Sequence, residues 1–342
     1  MRAMLLKSLQ TSELARPPLE LVDWADPVPG PGEIRIRVSV CGVCHTELDE
    51  IEGRTPPPRL PVILGHQVVG RVEILGQGVV DLKVGDRVGA AWIFSACGHC
   101  RHCREGAENL CEQFVATGRD VHGGYAERMT VRAAFVHPIP DTFTDAEAAP
   151  LLCAGAIGFR SLWLTGLNDG QNLGLTGFGA SAHLVLKLVR HRYPRTRVFV
   201  FARSEAERAF ARELGASWAG DSVEAAPEKL AAIIDTTPAW TPVVRALENL
   251  EPGGRLVINA IRKEDRDKTA LLDLDYPKHL WLEKDVKSVA NITRQDVREF
   301  LRLASEIPLK PEVREYPLED ANTALLELKS KDVRGAKVLR ID

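Results

Sequence analysis

The 342-residue chain balances 44 Lys and Arg against 47 Asp and Glu, a formal charge of −3 with no basic run or acidic tail. That balance gives no support to a nucleic-acid or membrane-surface role. At roughly 150 residues per domain, the length predicts about two domains, each able to bury a core.

Seven cysteines, most of them beside histidine or glycine, suit metal ligation in a reducing compartment better than a disulfide framework. Arg2 and Lys7 flank a short apolar patch that lacks the length and cleavage site of a signal peptide, and no uninterrupted apolar run is long enough to span a bilayer. The expectation is a soluble, cytoplasmic protein.

The first clear element is a strand over residues 33–40, where Ile34, Ile36, Val38 and Val40 alternate with Arg35, Arg37 and Ser39. It delivers the chain to Cys41-Gly42-Val43-Cys44-His45-Thr46-Glu47, and Gly65-His66-Gln67 follows after Pro56-Pro57-Pro58 and Pro61. A cysteine of the first stretch and His66 look like two corners of a metal site. The third corner is Cys153, in Leu151-Leu152-Cys153-Ala154-Gly155. One histidine and two cysteines from three distant segments make an open zinc site, because zinc takes four ligands and the vacancy admits water or substrate.

Further strands are predicted over residues 68–75 and 87–91, separated by Gly76, Gly78 and Gly85-Asp86, so the first domain reads as β-rich and barrel-like. The loop that follows holds Cys97, Cys100, Cys103 and Cys111, with two, two and seven residues between them. Four thiolates at such spacings close a tetrahedral shell with no position left for substrate, the mark of a structural zinc. His99 and His102 read as bystanders.

From Asp145 the period becomes helical through Ala146, Ala149, Leu152 and Ala156, a helix that carries Cys153 and opens the second domain. A strand over 171–175, the turn Gly177-Phe178-Gly179-Ala180-Ser181-Ala182 and a helix over 182–189 form the context of a dinucleotide fingerprint. Glycine lets the backbone approach the pyrophosphate, and the helix offers unpaired N–H groups. Strands and helices then alternate over 197–201, 205–214, 231–234, 243–250 and 255–260, a doubly wound α/β pattern. A charged stretch over 262–268 leads to an apolar segment at 286–292, a helix over 294–306 and a final strand over 337–341 that returns to the first domain.

These residues resemble the zinc-dependent medium-chain alcohol dehydrogenases over essentially the whole chain. The resemblance rests on Gly42-Val43-Cys44-His45-Thr46, Gly65-His66, Gly85-Asp86-Arg87-Val88, the four-cysteine loop, Gly123-Gly124-Tyr125-Ala126-Glu127, Leu152-Cys153-Ala154-Gly155 and the glycine turn. It implies a GroES-like β-rich catalytic domain over 1–153, completed by 291–342, and a Rossmann domain with a doubly wound parallel sheet over 154–290. It makes Cys44, His66 and Cys153 the catalytic zinc ligands and Cys41 a non-ligand, with Cys97, Cys100, Cys103 and Cys111 on a structural zinc, two Zn2+ per subunit. Thr46 matches the hydroxyl that relays the alcohol proton. His45 matches a residue against the cofactor pyrophosphate, and Gly177, Gly179 and Ala182 match its glycine turn. Trp92 and Ile93 stand where the family lines its substrate pocket.

Several positions depart from the family pattern. Asp49 stands where many members end the proton relay with histidine. Glu47 replaces an aspartate and could orient His66, and Gln67 replaces a glutamate. Ala336 occupies the place of an arginine that meets the pyrophosphate, leaving Arg334 or Lys337 to substitute. Ala202 stands where an acidic residue binds the ribose of NAD, followed by Arg203 and Ser204, which favours NADP over NAD. The implied reaction is reversible hydride transfer between primary alcohols and NAD(P), with aldehyde as the other substrate. Polyols, secondary or cinnamyl-type alcohols, or quinone or enone reduction on the same fold, are the alternatives. A homodimer or homotetramer is the implied assembly.

Overall fold

The computed structural model describes residues 1–10, 17–307, 309–329 and 335–341. The chain forms two compact units, one of Met1–Ala156 with Ile292–Asp342 and the other of Ile157–Asn291.

The first unit is organised on the strand Glu33–Val43. Ile34, Ile36, Val38 and Val40 are buried on one face, as their alternation demands. The strand runs on to Val43 because Val40–Val43 pairs antiparallel with the strand Ala336–Arg340, a partner from the far end of the chain. Glu33–Val43 also pairs with Val68–Leu75 and Arg128–Arg132 within a seven-stranded sheet, and a three-stranded sheet of Leu19–Asp23, Arg2–Leu6 and Val62–Ile63 lies in the same unit. One core of Ile36, Met129, Tyr125, Leu325 and Leu339 joins these sheets.

Two local features depart from the sequence reading. A short helix, His45–Ile51, begins directly on Cys44: the Cys44 sulfur accepts from Thr46 N–H and Glu47 reaches back to the Cys44 N–H, a capping box with cysteine in the usual serine place. The helical run Asp145–Thr165 is interrupted by a π-turn, Leu151–Gly155, one residue after Pro150. Pro150 has no N–H to donate, and the wider turn accommodates that break in the ladder. By length and composition this run could cross a membrane, but it is mostly buried in the fold.

The second unit is a six-stranded parallel sheet ordered Trp218–Gly220, Val198–Phe201, Leu173–Thr176, Leu230–Asp235, Leu250–Ile258 and Asp285–Ser288. Numbered along the chain that order is 3-2-1-4-5-6, the Rossmann arrangement, whose switch point lies between the first and fourth strands. Leu173–Thr176 and Val198–Phe201 are buried at every position, as strands covered on both faces must be. The fifth strand starts at Leu250, before its Gly253-Gly254 turn, because Leu230 pairs with Leu250 across a register shift.

Candidate metal and dinucleotide sites

Folding brings Cys44, His66 and Cys153 together. His66 Nε2 lies 3.6 Å from Cys44 Sγ and 3.4 Å from Cys153 Sγ. All three ligand atoms fall within 4.8 Å of one another. Metal bonds of about 2.3 Å to sulfur and about 2.0 Å to nitrogen at tetrahedral angles put nitrogen and sulfur about 3.5 Å apart, so these residues can hold a zinc ion.

Each donor has a local reason for its place. Cys44 is the helix cap described above. His66 follows Gly65, whose φ of +98° and tight packing exclude a side chain: a Cβ there would come within 2.4 Å of Tyr125 and 2.8 Å of the Cys41 sulfur. Cys41 is therefore fully buried in packing and stands outside the cluster. Cys153 rides on the π-turn.

His66 Nδ1 is 2.7 Å from a carboxylate oxygen of Glu47, and both side chains are buried. Burial alone would lower the imidazole pKa, but Glu47 and Cys44 outweigh it and raise it well above its ordinary value. The neighbouring Cys153 thiol, then burial and Glu47, push the Cys44 thiol up as well. Two adjacent sulfurs and a carboxylate in a buried pocket need a cation if both sulfurs are to ionise. Trp92 stands edge-on to His66, with ring centroids 4.8 Å apart, and packs with Ile93, Ala116 and Phe135 in a small apolar cluster.

Thr46 sits in the first turn of the helix after Cys44, and its N–H donates to the Cys44 sulfur at 3.3 Å. Asp49, one turn on, is buried and accepts from Arg54 Nε at 2.6 Å. Gln67 is buried, and a Cβ on Gly42 would stand 2.7 Å from its Oε1. One buried acid escaped the sequence reading. Glu50 is almost fully buried, and among the described residues neither of its carboxylate oxygens has a hydrogen-bond partner. Burial, followed by Glu47, raises its pKa well above the usual range. Its place between Leu48 and Ile51 was the available signal, but four acids in six residues resemble a solvated helix face.

Cys97, Cys100, Cys103 and Cys111 also converge, with all four sulfurs within 4.8 Å of one another. Cys97 and Cys103 sulfurs are 3.9 Å apart, against about 3.8 Å for two zinc–sulfur bonds of about 2.3 Å. Cys100 N–H donates to the Cys97 sulfur at 3.3 Å and Cys103 N–H to the Cys100 sulfur at 3.5 Å. The His99 and Cys100 N–H groups bring the Cys97 thiol down to about 6, whereas burial and the neighbouring thiols push Cys103 up to about 12. His99 turns instead onto the Cys97 carbonyl, 2.9 Å away.

In the second unit, Gly177 adopts φ +78° at the end of its strand, and a Cβ there would meet Thr236 Oγ1 at 2.8 Å. Gly179 caps the helix Ala180–Arg192 without any side-chain bond, which leaves its first N–H groups open, and Ala182 is buried in the first turn. A dinucleotide phosphate fits this kind of helix start. Ala202, which follows the strand Val198–Phe201, is buried. Arg203 and Ser204 are exposed; among the described residues the Arg203 guanidinium has no ion pair, and Ser204 caps Glu205–Glu213 without using its hydroxyl. His45 is exposed on the first turn of its helix. Lys337 is buried and committed to Glu327 and the Tyr316 hydroxyl, at 2.6 and 2.7 Å, so it does not replace the missing arginine. Arg334 lies outside the described residues.

Residues 30–141 match the model of the alcohol dehydrogenase GroES-like domain. The chain is 43% identical over 329 residues to a probable alcohol dehydrogenase AdhA of Mycobacterium tuberculosis, covering 95% of this chain and 93% of that relative. It is 32% identical over 341 residues to an alcohol dehydrogenase of Geobacillus stearothermophilus, covering 96% and 98%. Among solved structures, a cinnamyl alcohol dehydrogenase of Sorghum bicolor aligns with a TM-score of 0.83 at 27% identity, covering 98% of this chain and 97% of that one. The alcohol dehydrogenase of Aeropyrum pernix aligns with a TM-score of 0.87 at 25% identity, covering 99% and 100%. A GroES-like β-rich domain joined to a Rossmann domain defines the class as an oxidoreductase. Its relatives make the assignment narrower: the chain belongs to the zinc-dependent medium-chain alcohol dehydrogenase family.

Proposed function

We propose that this chain interconverts small to medium primary alcohols and their aldehydes, with a catalytic zinc on Cys44, His66 and Cys153 and a structural zinc on Cys97, Cys100, Cys103 and Cys111. The observation that carries the reading is the first cluster: three donors at metal-compatible separations, from three segments, with a fourth tetrahedral position left over. When bound, zinc would act as a Lewis acid on the alcohol oxygen while the nicotinamide accepts hydride.

The chain's own residues do the rest. Glu47 holds the Nδ1 side of His66, so that Nε2 is presented to the metal. The Thr46 hydroxyl passes the alcohol proton outward, towards Asp49 or water. Trp92 covers the flank of His66 and keeps water from it. Gly177, Gly179 and Ala182 admit the pyrophosphate at an open helix start, with His45 against it. Arg203 and Ser204 take the ribose 2′-phosphate, which favours NADP; the uncommitted guanidinium and hydroxyl support that preference. The likeness to the Sorghum enzyme supports aromatic allylic alcohols as a second substrate class.

An assembly of two or four copies is supported by the edge strand Asp285–Ser288, where Val286 is exposed close in sequence to exposed Tyr276, Trp281 and Leu282. Seven free cysteines suit the cytoplasm. The test is cofactor reduction with alcohols from ethanol to benzyl alcohol, NAD and NADP in parallel, on protein of measured zinc content. Two zincs with alcohol turnover is the expected result. One zinc without turnover would move the activity to enone or quinone reduction.

A further inference from the structure

Glu108 belongs to the four-cysteine loop, between Cys103 and Cys111, and its carbonyl accepts from the Cys111 N–H, yet the bonds of its carboxylate lead away from that loop. It is buried, and its Oε1 accepts from the Arg294 backbone N–H at 3.0 Å and from Arg294 Nε at 2.9 Å. Arg294 is the first residue of the helix Arg294–Glu306, so its N–H is one of the donors a helix leaves unpaired. A carboxylate there also meets the positive end of the helix dipole. The guanidinium completes the joint by lying over Phe135, 4.3 Å from the ring centre, and donating to the Ala134 carbonyl at 3.2 Å. Thr293 and Asp296 close a capping box at the same end. His137 is buried and brought down to about 3 by burial, Arg298 and Arg294, so it is neutral and adds no charge beside these arginines.

Six residues along this helix, about 9 Å of rise, Phe300 is buried with its ring edge against Gly155. A Cβ on Gly155 would stand 2.2 Å from Phe300 Cε1. Gly155 closes the π-turn that carries Cys153. Beyond the far end of the helix, Lys310 meets Glu147, 3.2 Å away, in the first turn of the run leading to Cys153.

We propose that Glu108, acting through Arg294 and Phe300, positions the turn bearing Cys153, so that the four-cysteine lobe sets the place of a ligand in the other metal site. The inference rests on reading Cys44, His66 and Cys153 as metal ligands. Glu108, Arg294 and Phe300 are positioning residues in this arrangement.

The experiment is zinc release from the doubly loaded protein to a chromophoric chelator, with the Cys44→Ser variant identifying which phase belongs to the Cys44, His66 and Cys153 site. Glu108→Ala and Phe300→Leu are each expected to accelerate that phase about tenfold, while the four-cysteine phase and the circular dichroism stay as in the wild type. Glu108→Gln keeps an acceptor for the Arg294 N–H and is expected to fall between them and the wild type. Unchanged release in both Glu108→Ala and Phe300→Leu overturns the proposal. So does acceleration of the four-cysteine phase alone, which would confine Glu108 to its own lobe. Should Glu108→Ala not fold, Phe300→Leu and Glu108→Gln decide by the same criteria. A wild type that loads one zinc overturns the ligand reading itself, an outcome distinct from two zincs released at unaltered rates.

Discussion

The two cysteine clusters use similar donors but are assembled in opposite ways. Cys97, Cys100, Cys103 and Cys111 lie within one loop, and backbone N–H groups of that loop already point at its sulfurs. Cys44, His66 and Cys153 come from a strand end, a glycine turn and a π-turn in the middle of a long helical run, and a buried carboxylate from a fourth position orients the histidine. The difference teaches where each can be damaged. The local cluster depends on spacing, whereas the assembled one depends on the packing of every element that delivers a donor.

The strongest way to sharpen this contrast is Cys44→Ser. On the proposed ligand set, losing the Lewis-acid site would forfeit about 4 kcal/mol or more of transition-state stabilisation, so turnover should fall at least about a thousandfold. Zinc analysis should show the four-cysteine metal retained; a variant that keeps most of its turnover would remove Cys44 from the ligand set. Cys103→Ser should act the other way, lowering the midpoint of thermal unfolding by roughly 3–4 °C, or about 2–3 kcal/mol at this size. Calorimetry that found the midpoint unchanged would mean that the lobe contributes nothing to stability.

A smaller effect tests the orienting carboxylate. Glu47→Gln should weaken zinc at the Cys44, His66 and Cys153 site about 10- to 100-fold and leave the four-cysteine site alone, read by chelator titration. Equal weakening at both sites would break the distinction. The smallest change concerns the second unit, where the glycine turn is local and the proposed 2′-phosphate contact would depend on two exposed side chains, Arg203 and Ser204. Arg203→Ala should raise the dissociation constant for NADP about tenfold and that for NAD much less; fluorescence titration showing equal losses would end the NADP preference.

Much of the architecture was legible because it is written in short-range patterns. Alternation announced the strand through Ile34, Ile36 and Val38, and period changes announced the Rossmann unit. The Gly177 turn sits at the end of its strand, at the switch point of the sheet. Resemblance supplied what spacing could not: the choice of Cys44 over Cys41. In the structure Cys41 is fully buried, packed close to Gly65 and Gly124, and stands outside the group of Cys44, His66 and Cys153.

Other features were not legible. The helix His45–Ile51 was assigned no element, because its cap is a cysteine, outside the usual Ser, Thr, Asp and Asn signals. Lys337 looked free to meet a phosphate, but Glu327 and Tyr316 claim its ammonium group inside the fold. Glu108 and Arg294 stand 186 positions apart, and no periodicity connects them.

The division follows from the range of the interactions. Side-chain alternation, helical period, glycine turns and cysteine spacing act over a few residues, so composition and order were enough to decide the two-domain α/β class and the four-cysteine loop. Burial and pairing act across the whole chain. Only the folded protein could decide that Glu47 faces His66, that Glu50 is sealed from solvent, and that Cys153 rides on a π-turn packed against Phe300 through Gly155. Each of those depends on groups brought together after the chain has closed on itself.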